Sequence, residues 1–403
     1  MVNRKTERQT SAIIQGRFDR PRTEPHSVLI VAPSPPPYGG MALQARLLEK
    51  LLAAEGNLVT FFASNMAFPR WLPLLDRVPG LRTFVRFALI WPRLWTAVRK
   101  TEVVHILAAS WLYFFLVVSP AAIAGRVCRK WVVINYRGGG AETFFRRWRW
   151  FAKPVFQLAD AVTAPSEFLG DVIRRMIGVP VSIVPNILDA SAFTYRERAT
   201  LRPNILITRH LEKIYDIETV LKAFRVVQDH FPEAVLWIVG TGSEEKRLRN
   251  LVAEWSLQNV RFIGEVTHCE LPAVCDQCDI FLNASRIDNF PGALLEASAA
   301  GLVVVSTRAG GIAAMYENEK NALLVEIGDW QGLAAGVETV LKFPQLALTL
   351  TREANQLVRS CDWKEVRKSL YLAYGFGPDY IDKACSARRE AAETVLFKAK
   401  GGA

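Results

Sequence analysis

A chain of 403 residues is long for one domain and suits two. With 50% hydrophobic and 22% charged residues it is too apolar for a disordered protein, and six scattered cysteines exclude a disulfide scaffold. The net charge of +11 is divided unevenly: residues 1–200 carry +14 and residues 201–403 carry −3, so the two halves are expected to face different partners.

Residues 1–26 form a polar extension of mixed charge, without the basic-then-apolar plan of an export signal. A reduced cytosolic compartment is therefore expected. Ser27–Ala32 reads as a buried parallel strand, followed by a Pro-rich loop ending in Tyr38-Gly39-Gly40, a helix over Met41–Ala54 and a strand over Leu58–Ala63. Leu107–Gly125 is the longest apolar run. It lies between the strand-like segments Val103–Ile106 and Trp131–Asn135, so a buried crossover helix, broken or restarted at Pro120, is expected rather than a membrane span. Ala161–Ala164 and Val181–Val184 continue the alternation, giving a doubly wound α/β domain over 27–200.

Ala190–Arg202 is polar and is read as the linker. A second α/β series over 201–358 begins at Ile205–Ile207 and continues through Val235–Val239, Val260–Ile263, Ile280–Leu282 and Val303–Ser306. Residues 359–380 hold a further helix with apolar residues at Trp363, Val366, Leu370 and Tyr374, and 381–403 is a charged tail. His268, Cys269, Cys275 and Cys278 suggest zinc at first sight. Leu271, Val274, Cys275 and Cys278 fall at helical spacing, however, which predicts a buried helix face and no metal site.

The segment Ser285–Ala297 carries the chemistry. Asp288 and Glu296 lie eight positions apart, with the turn Asn289-Phe290-Pro291-Gly292 between them and a helix start at Ala293. The unpaired N–H groups of such a helix start, together with its dipole, attract anions. An acid on each side of a phosphate site suits a ligand with a central diphosphate and hydroxylated groups at both ends, such as a nucleotide sugar. A plain surface turn ahead of a buried helix would satisfy the same pattern.

This segment resembles the acid-x7-acid signature of retaining GT-B glycosyltransferases of the family 4/group 1 type. The resemblance spans residues 27–380 and implies two Rossmann-like domains with a cleft between them, the last helix crossing back to the first domain. In that family the first acid, usually Glu, contacts the donor sugar, and the second binds the ribose. The resemblance gives these roles to Asp288, one methylene shorter than the usual Glu, and to Glu296. It gives the diphosphate to Arg209, at the end of the first strand of the second domain, and to Lys213, which stands two positions earlier than usual. Fixed cations there would stabilise the leaving diphosphate as its charge grows. Gly39, Gly40, Gly240, Gly242, Val266, Phe290, Pro291, Gly292, Leu294 and Leu295 are expected to line the donor.

On the acceptor side the glycine loop Arg137-Gly138-Gly139 ends a strand, with Arg137 where many relatives have histidine. An arginine suits a phosphate-bearing acceptor. Ala314 and Asn321-Ala322 replace the usual acid and Asn-Gly of the family.

Residues 51–150 carry +10, with Arg82, Arg86 and Arg93 set among Trp71, Phe84, Phe87, Trp91, Leu94 and Trp95, and a second basic-aromatic run over Phe144–Phe151. Such segments lie on anionic membranes. The expectation is a metal-independent hexosyltransferase without cofactor, peripheral on the inner face of the cell membrane. It would move a sugar from a nucleotide sugar to a lipid-linked or other saccharide acceptor in bacterial polysaccharide assembly, with no nucleic acid partner. A sugar-nucleotide epimerase of the same fold, or a non-catalytic scaffold binding membranes or nucleic acid, are the alternatives.

Overall fold

The computed structural model describes residues 26–35, 39–65 and 91–376. Tyr38, Trp71, Arg82, Phe84, Arg86 and Phe87 fall outside the described residues, as do the N-terminal extension up to residue 25 and the tail.

Two parallel six-stranded sheets organise the chain. The first contains β1 (Ser27–Ala32), β2 (Leu58–Ala63), β3 (Val103–Ala108), β4 (Trp131–Tyr136), β5 (Ala161–Ala164) and β6 (Ser182–Ile183), in the order β2-β1-β3-β4-β5-β6. Its helices are α1 (Gly40–Ala54), α2 over 91–99, α3 (Ser119–Val127), α4 (Ala141–Gln157) and α5 (Glu167–Ile177). Helices cover both faces of the sheet. Val104, Ile106 and Ala108 of β3 therefore enter one core with Leu29 and Val31, while Val103 and Leu107 enter another with Val28 and Ile30. Burial on both faces is why these strands read as unbroken apolar runs.

The second sheet follows the same plan. Its strands are β7 (Asn204–Thr208), β8 (Val235–Val239), β9 (Val260–Gly264), β10 (Ile280–Asn283), β11 (Val303–Thr307) and β12 (Leu323–Val325), in the order β12-β11-β10-β7-β8-β9. Its helices are α6 (Ile217–His230), α7 (Glu245–Glu254), α8 (Leu271–Asp276), α9 (Gly292–Ala299), α10 (Ile312–Met315), α11 (Trp330–Lys342) and α12 (Pro344–Ser360). In both sheets β1 and β7 lie at interior positions where the strand order reverses, and such doubly wound sheets bind ligands at the carboxyl ends of these strands.

The crossover after β3 departs from a single helix. A π-helical turn over Phe114–Val118 leads straight into α3, with Pro120, which has no N–H to donate, just after the junction. No helix among the described residues is long and apolar enough to cross a membrane.

The polar segment read as a linker is part of the second domain's framework. Arg198 is buried, with Nε donating to Asp279 Oδ1 at 2.7 Å and Nη1 to the carbonyls of Ala300 and Gly301 at 2.9 and 2.7 Å. Arg196 and Arg202 reach the same carboxylate. Burial works to raise the Asp279 pKa, but hydrogen bonds from Arg202 and Arg198 outweigh it and hold the group below the usual range. Composition alone marks this stretch as exposed; three arginines converging on one buried acid leave no local sequence signature.

The closing helix α13 (Trp363–Ala373) does cross to the first domain. Glu55, at the end of α1, accepts from Trp363 Nε1 and Arg367 Nη1, both at 2.7 Å, and from the Tyr371 hydroxyl. Trp131 Nε1 donates to the Ala373 carbonyl at 2.8 Å.

The basic-aromatic segments need correction. Leu94 is buried and Trp95 packs partly against the same core, while Phe144 and Phe145 are fully buried. These side chains build the domain rather than a surface. Arg93, Arg146, Arg147 and Arg149 stay outside, and Trp150 is 70% exposed. Cys275 and Cys278 are buried in the second domain, as the helical spacing predicts.

Candidate active site

The carboxyl end of β7 delivers Arg209. Its backbone N–H donates to the Val239 carbonyl at 3.0 Å, and its Nε donates to Asn283 Oδ1 at 3.0 Å. Asn283 ends β10 and is itself fixed, donating to Ser306 Oγ at 2.9 Å and accepting from Ser285 Oγ at 2.8 Å. A buried polar ladder from three strand ends thus aims one guanidinium. Arg209 Nη2 stands 3.1 Å from Asp288 Oδ2, yet lacks hydrogen-bond alignment to any acceptor among the described residues. The Tyr215 ring lies beneath the guanidinium at 5.3 Å.

Gly240 and Gly242 serve this loop differently from the expectation. A Cβ at Gly240 would lie 2.1 Å from the Arg209 carbonyl, and one at Gly242 would lie 2.4 Å from that of Leu211. These glycines are required by backbone packing against residues 209–211, and through it they set where Arg209 points. Gly310 and Gly311 do the same for the signature turn: a Cβ at Gly311 would sit 1.8 Å from the Asn289 carbonyl, and its N–H donates to the Asp288 carbonyl at 2.8 Å.

The turn then feeds α9. Pro291 is its N-cap residue and no side chain caps it, so the first N–H groups stay available. Leu294 and Leu295 are buried in the core, so their side chains anchor α9 and only their backbone could meet a ligand. Phe290 and Val266 pack partly against that core. Burial raises the pKa of Asp288, opposed by Arg209 and by the N–H groups of Phe290 and Asn289. Burial likewise raises that of Glu296, opposed by His268 and Arg209. Both acids lack the solvent that would favour their charge, a need that sugar and ribose hydroxyls can meet.

His268 Nδ1 lies 3.8 Å from Glu296 Oε1, and its ring meets Phe193 edge-on at 6.0 Å. In the sequence His268 stands out only beside the cysteines that suggest zinc at first sight, a reading that the helical spacing argues against, and no group of three or more ligating side chains that could hold a metal is present among the described residues. Lys213, on the single turn Lys213–Tyr215, is exposed and has no ion pair among the described residues. It stands beside Arg209's loop without joining the ladder.

The first domain reaches this turn across the cleft. Asn289 Nδ2 donates to the carbonyls of Arg137 and Gly138 at 3.2 and 3.0 Å. Asn186 Nδ2 donates to the Phe290 carbonyl at 3.0 Å, and Asn186 Oδ1 accepts from Arg137 Nη2 at 2.5 Å. Gly138 is fixed by packing, since a Cβ there would lie 2.6 Å from Ser110 Oγ. Gly39, Gly40 and Gly139 face open space. Asn186 and Asn289 were not singled out in the sequence, because a lone asparagine carries no signal until its partner across the cleft is known.

Two facing parallel α/β domains, with paired acids around an uncapped helix start and an arginine aimed at them, define the GT-B class of glycosyltransferase. Residues 38–192 match the model described as Glycosyltransferase Family 4, and residues 196–357 match that described as Glycosyl transferases group 1. The chain belongs to this group 1/family 4 glycosyltransferase family. Among curated relatives, glycogen synthase of Mycobacterium tuberculosis is 27% identical over 54% of each chain. The putative colanic acid biosynthesis glycosyltransferase WcaL of Escherichia coli is 36% identical over 45% of this chain and 47% of its own length. The chain spans about half the length of these curated relatives. In fold it is similar to a sucrose-phosphate synthase from Thermosynechococcus elongatus, with TM-score 0.72 and 19% identity over 87% of this chain and 98% of the other. It is also similar to Anabaena HepE crystallised with UDP and glucose, with TM-score 0.65 and 16% identity over 85% and 97%.

Proposed function

We propose that this glycosyltransferase moves a hexose from a nucleoside diphosphate sugar to a hydroxyl of a lipid-linked or membrane-associated saccharide in bacterial polysaccharide assembly, with retention at the anomeric carbon. The observation that carries the reading is Arg209 held beside Asp288 in front of the uncapped start of α9, with Glu296 one helical stretch further on. Arg209 and the N–H groups of α9 suit the diphosphate, Glu296 the ribose and Asp288 the sugar. In front-face attack the bond from the anomeric carbon to the diphosphate oxygen breaks as the acceptor oxygen bonds on the same face. The acceptor proton passes to the departing phosphate oxygen. Positive charge for that oxygen comes from Arg209, with Lys213 near enough in sequence to swing in, so the reading needs neither metal nor cofactor.

Support for the acceptor class comes from relatives named for colanic acid and lipopolysaccharide core biosynthesis. The cationic face of α4 supports a cytoplasmic, membrane-peripheral site of action. A thermal-shift screen against UDP-, GDP- and ADP-sugars tests the donor, because a ligand bound only to the native state raises its stability. A shift with one nucleotide series, lost in Arg209→Ala, is expected. No shift with any series would overturn the donor reading, and full transfer in EDTA is required of the metal-free one.

A further inference from the structure

Arg137 is a cation without a counter-ion. Its Nε donates to Asn135 Oδ1 at 3.2 Å and its Nη2 to Asn186 Oδ1 at 2.5 Å, both neutral amides. Its Nη1 has no hydrogen-bond partner, and no carboxylate pairs with the group, among the described residues. Burial lowers its pKa to about 10, so the charge is held at a cost and still persists at neutral pH. A guanidinium kept in this way invites an anion from outside.

Two further features adjoin it, one along the chain and one in space. The loop Gly138-Gly139-Gly140 leads directly into the seventeen-residue α4, whose N-cap Gly140 offers no side-chain cap; the first-turn acid Glu142 turns outward to Arg146 at 3.3 Å. Beneath Arg137 a cavity of about 20 Å³ is lined by Gln44, His105, Asn135, Pro185 and Val366, room for one water. His105 is fully buried in β3, and its Nε2 has no partner. The Tyr374 hydroxyl and His105 Nδ1 share a hydrogen bond at 3.0 Å. The His105 ring lines the cavity below Arg137, and a single water there would be within reach of its Nε2.

We propose that Arg137 and the uncapped start of α4, above the small cavity at His105, form an anion subsite that takes a phosphate group of the acceptor. The subsite rests on the glycosyltransferase reading, for it lies across the cleft from the turn that carries Asp288. Asn289 ties the two together by donating to the Arg137 and Gly138 carbonyls. A phosphate bound there would set the acceptor hydroxyl against the donor sugar and discriminate against neutral acceptors, because an unanswered Arg137 is left in the loaded cleft.

The test uses the full chain and inorganic phosphate, followed by ³¹P line broadening. In Arg209→Ala, which removes the donor-side arginine, a phosphate response should remain. Adding Arg137→Gln should weaken that residual affinity about tenfold or more, and Arg137→Lys should keep most of it. A sugar phosphate and a dialkyl phosphate run beside it tell a phosphosaccharide from a lipid phosphate, and acetate serves as the non-phosphate anion. Absence of the residual response, its survival in Arg137→Gln, or an equal response to acetate would each overturn the subsite. The nucleotide-sugar thermal shift, measured in parallel, should be the same in the parent and in Arg137→Gln. That shift reports folding of the variant, and its absence from the parent would count against the donor reading, not against the anion subsite.

Discussion

The guanidinium of Arg209 and the carboxylate of Asp288 meet at 3.1 Å in the cleft, with side-chain exposures of 8% and 13%. Arg209 is aligned by Asn283 on its other edge, so the group is oriented, while its Nη2 proton has no aligned acceptor. In the proposed reaction this arrangement would hold a cation where negative charge develops on the leaving diphosphate, without a strong bond to be broken first. Preorganised charge of this kind costs no reorganisation when the bond breaks.

Replacing Arg209 with Ala should therefore lower kcat by about 10²–10³ with little loss of fold, the range seen when one preorganised donor is removed from a transition state. Arg209→Lys should recover little, because a lysine cannot keep both the Asn283 hydrogen bond and the approach to Asp288. Steady-state kinetics with circular dichroism as a folding control decides this. Wild-type turnover in Arg209→Ala would remove the residue from the mechanism.

Gly311 offers a sharper test of the site's framework. A Cβ there would lie 1.8 Å from the Asn289 carbonyl, a backbone atom that cannot rotate aside. Gly311→Ala must push the 288–289 turn away from residue 311, moving Asp288 relative to Arg209 and disturbing the Asn289 hydrogen bonds to the Arg137 loop. Loss of activity of at least about tenfold is expected from a displacement of this size. Gly39→Ala meets nothing within 4 Å and should keep its stability. If both glycine variants behave alike in activity and melting temperature, the buttress does not control the turn.

Stability should fall with acid partly through His105. Burial, with Arg137 adding to it, pushes its pKa down to about 3, against roughly 6.5 in the unfolded chain. The unfolded state binds the extra proton, so this contribution is complete above about pH 6.5 and is lost as pH falls toward 3. Its slope approaches about 1.4 kcal/mol per pH unit. Asp288 and Glu296 shift the other way, but they are common to parent and variant and cancel in the difference. Urea unfolding of the parent and His105→Gln between pH 7 and pH 4 should show the parent losing stability faster. Parallel profiles would mean that His105 does not titrate as its burial requires.

How much of this was legible beforehand follows from the range of each interaction. Strands β1 and β11 announce themselves because burial on both faces calls for a nearly unbroken apolar run, a purely local consequence. Arg209 could be picked out because it follows a strand that the sequence shows, and Asp288 and Glu296 because their spacing about a turn and helix start resembles the family's acid-x7-acid signature. Arg198 could not, since its burial depends on Asp279 lying 81 positions away, and a polar stretch of that composition otherwise reads as a linker. Phe144 and Phe145 were misjudged for the opposite reason. Arginines beside aromatics suggest a wet surface, whereas α4 turns its phenylalanines inward and its arginines outward, an amphipathic division that a single run of letters conceals.

That same helix carries the last prediction, that α4 docks on an anionic membrane. Trp148 breaks the helical geometry and Pro154 lies inside the helix, where it removes one backbone hydrogen bond. Around the bend, Arg146, Arg147, Arg149 and Lys153 surround an open groove of about 420 Å³ beside Trp150, which is 70% exposed. Each basic residue at an anionic surface contributes about 1 kcal/mol, and an exposed tryptophan sits well at the headgroup level, so four cations hold the protein reversibly. The start of α4 follows the Arg137 loop, and docking through its far end would leave that loop and the cleft beside the lipid, where the membrane-borne acceptor proposed above would arrive. Vesicle flotation should show binding that requires anionic lipid and weakens as salt rises. Changing Arg146, Arg147 and Arg149 together to Glu should abolish it, and Trp150→Ala should weaken it, while transfer to a water-soluble acceptor analogue continues. If the triple variant floats like the parent, α4 is not the membrane face and the cations of residues 77–93 become the segment to test.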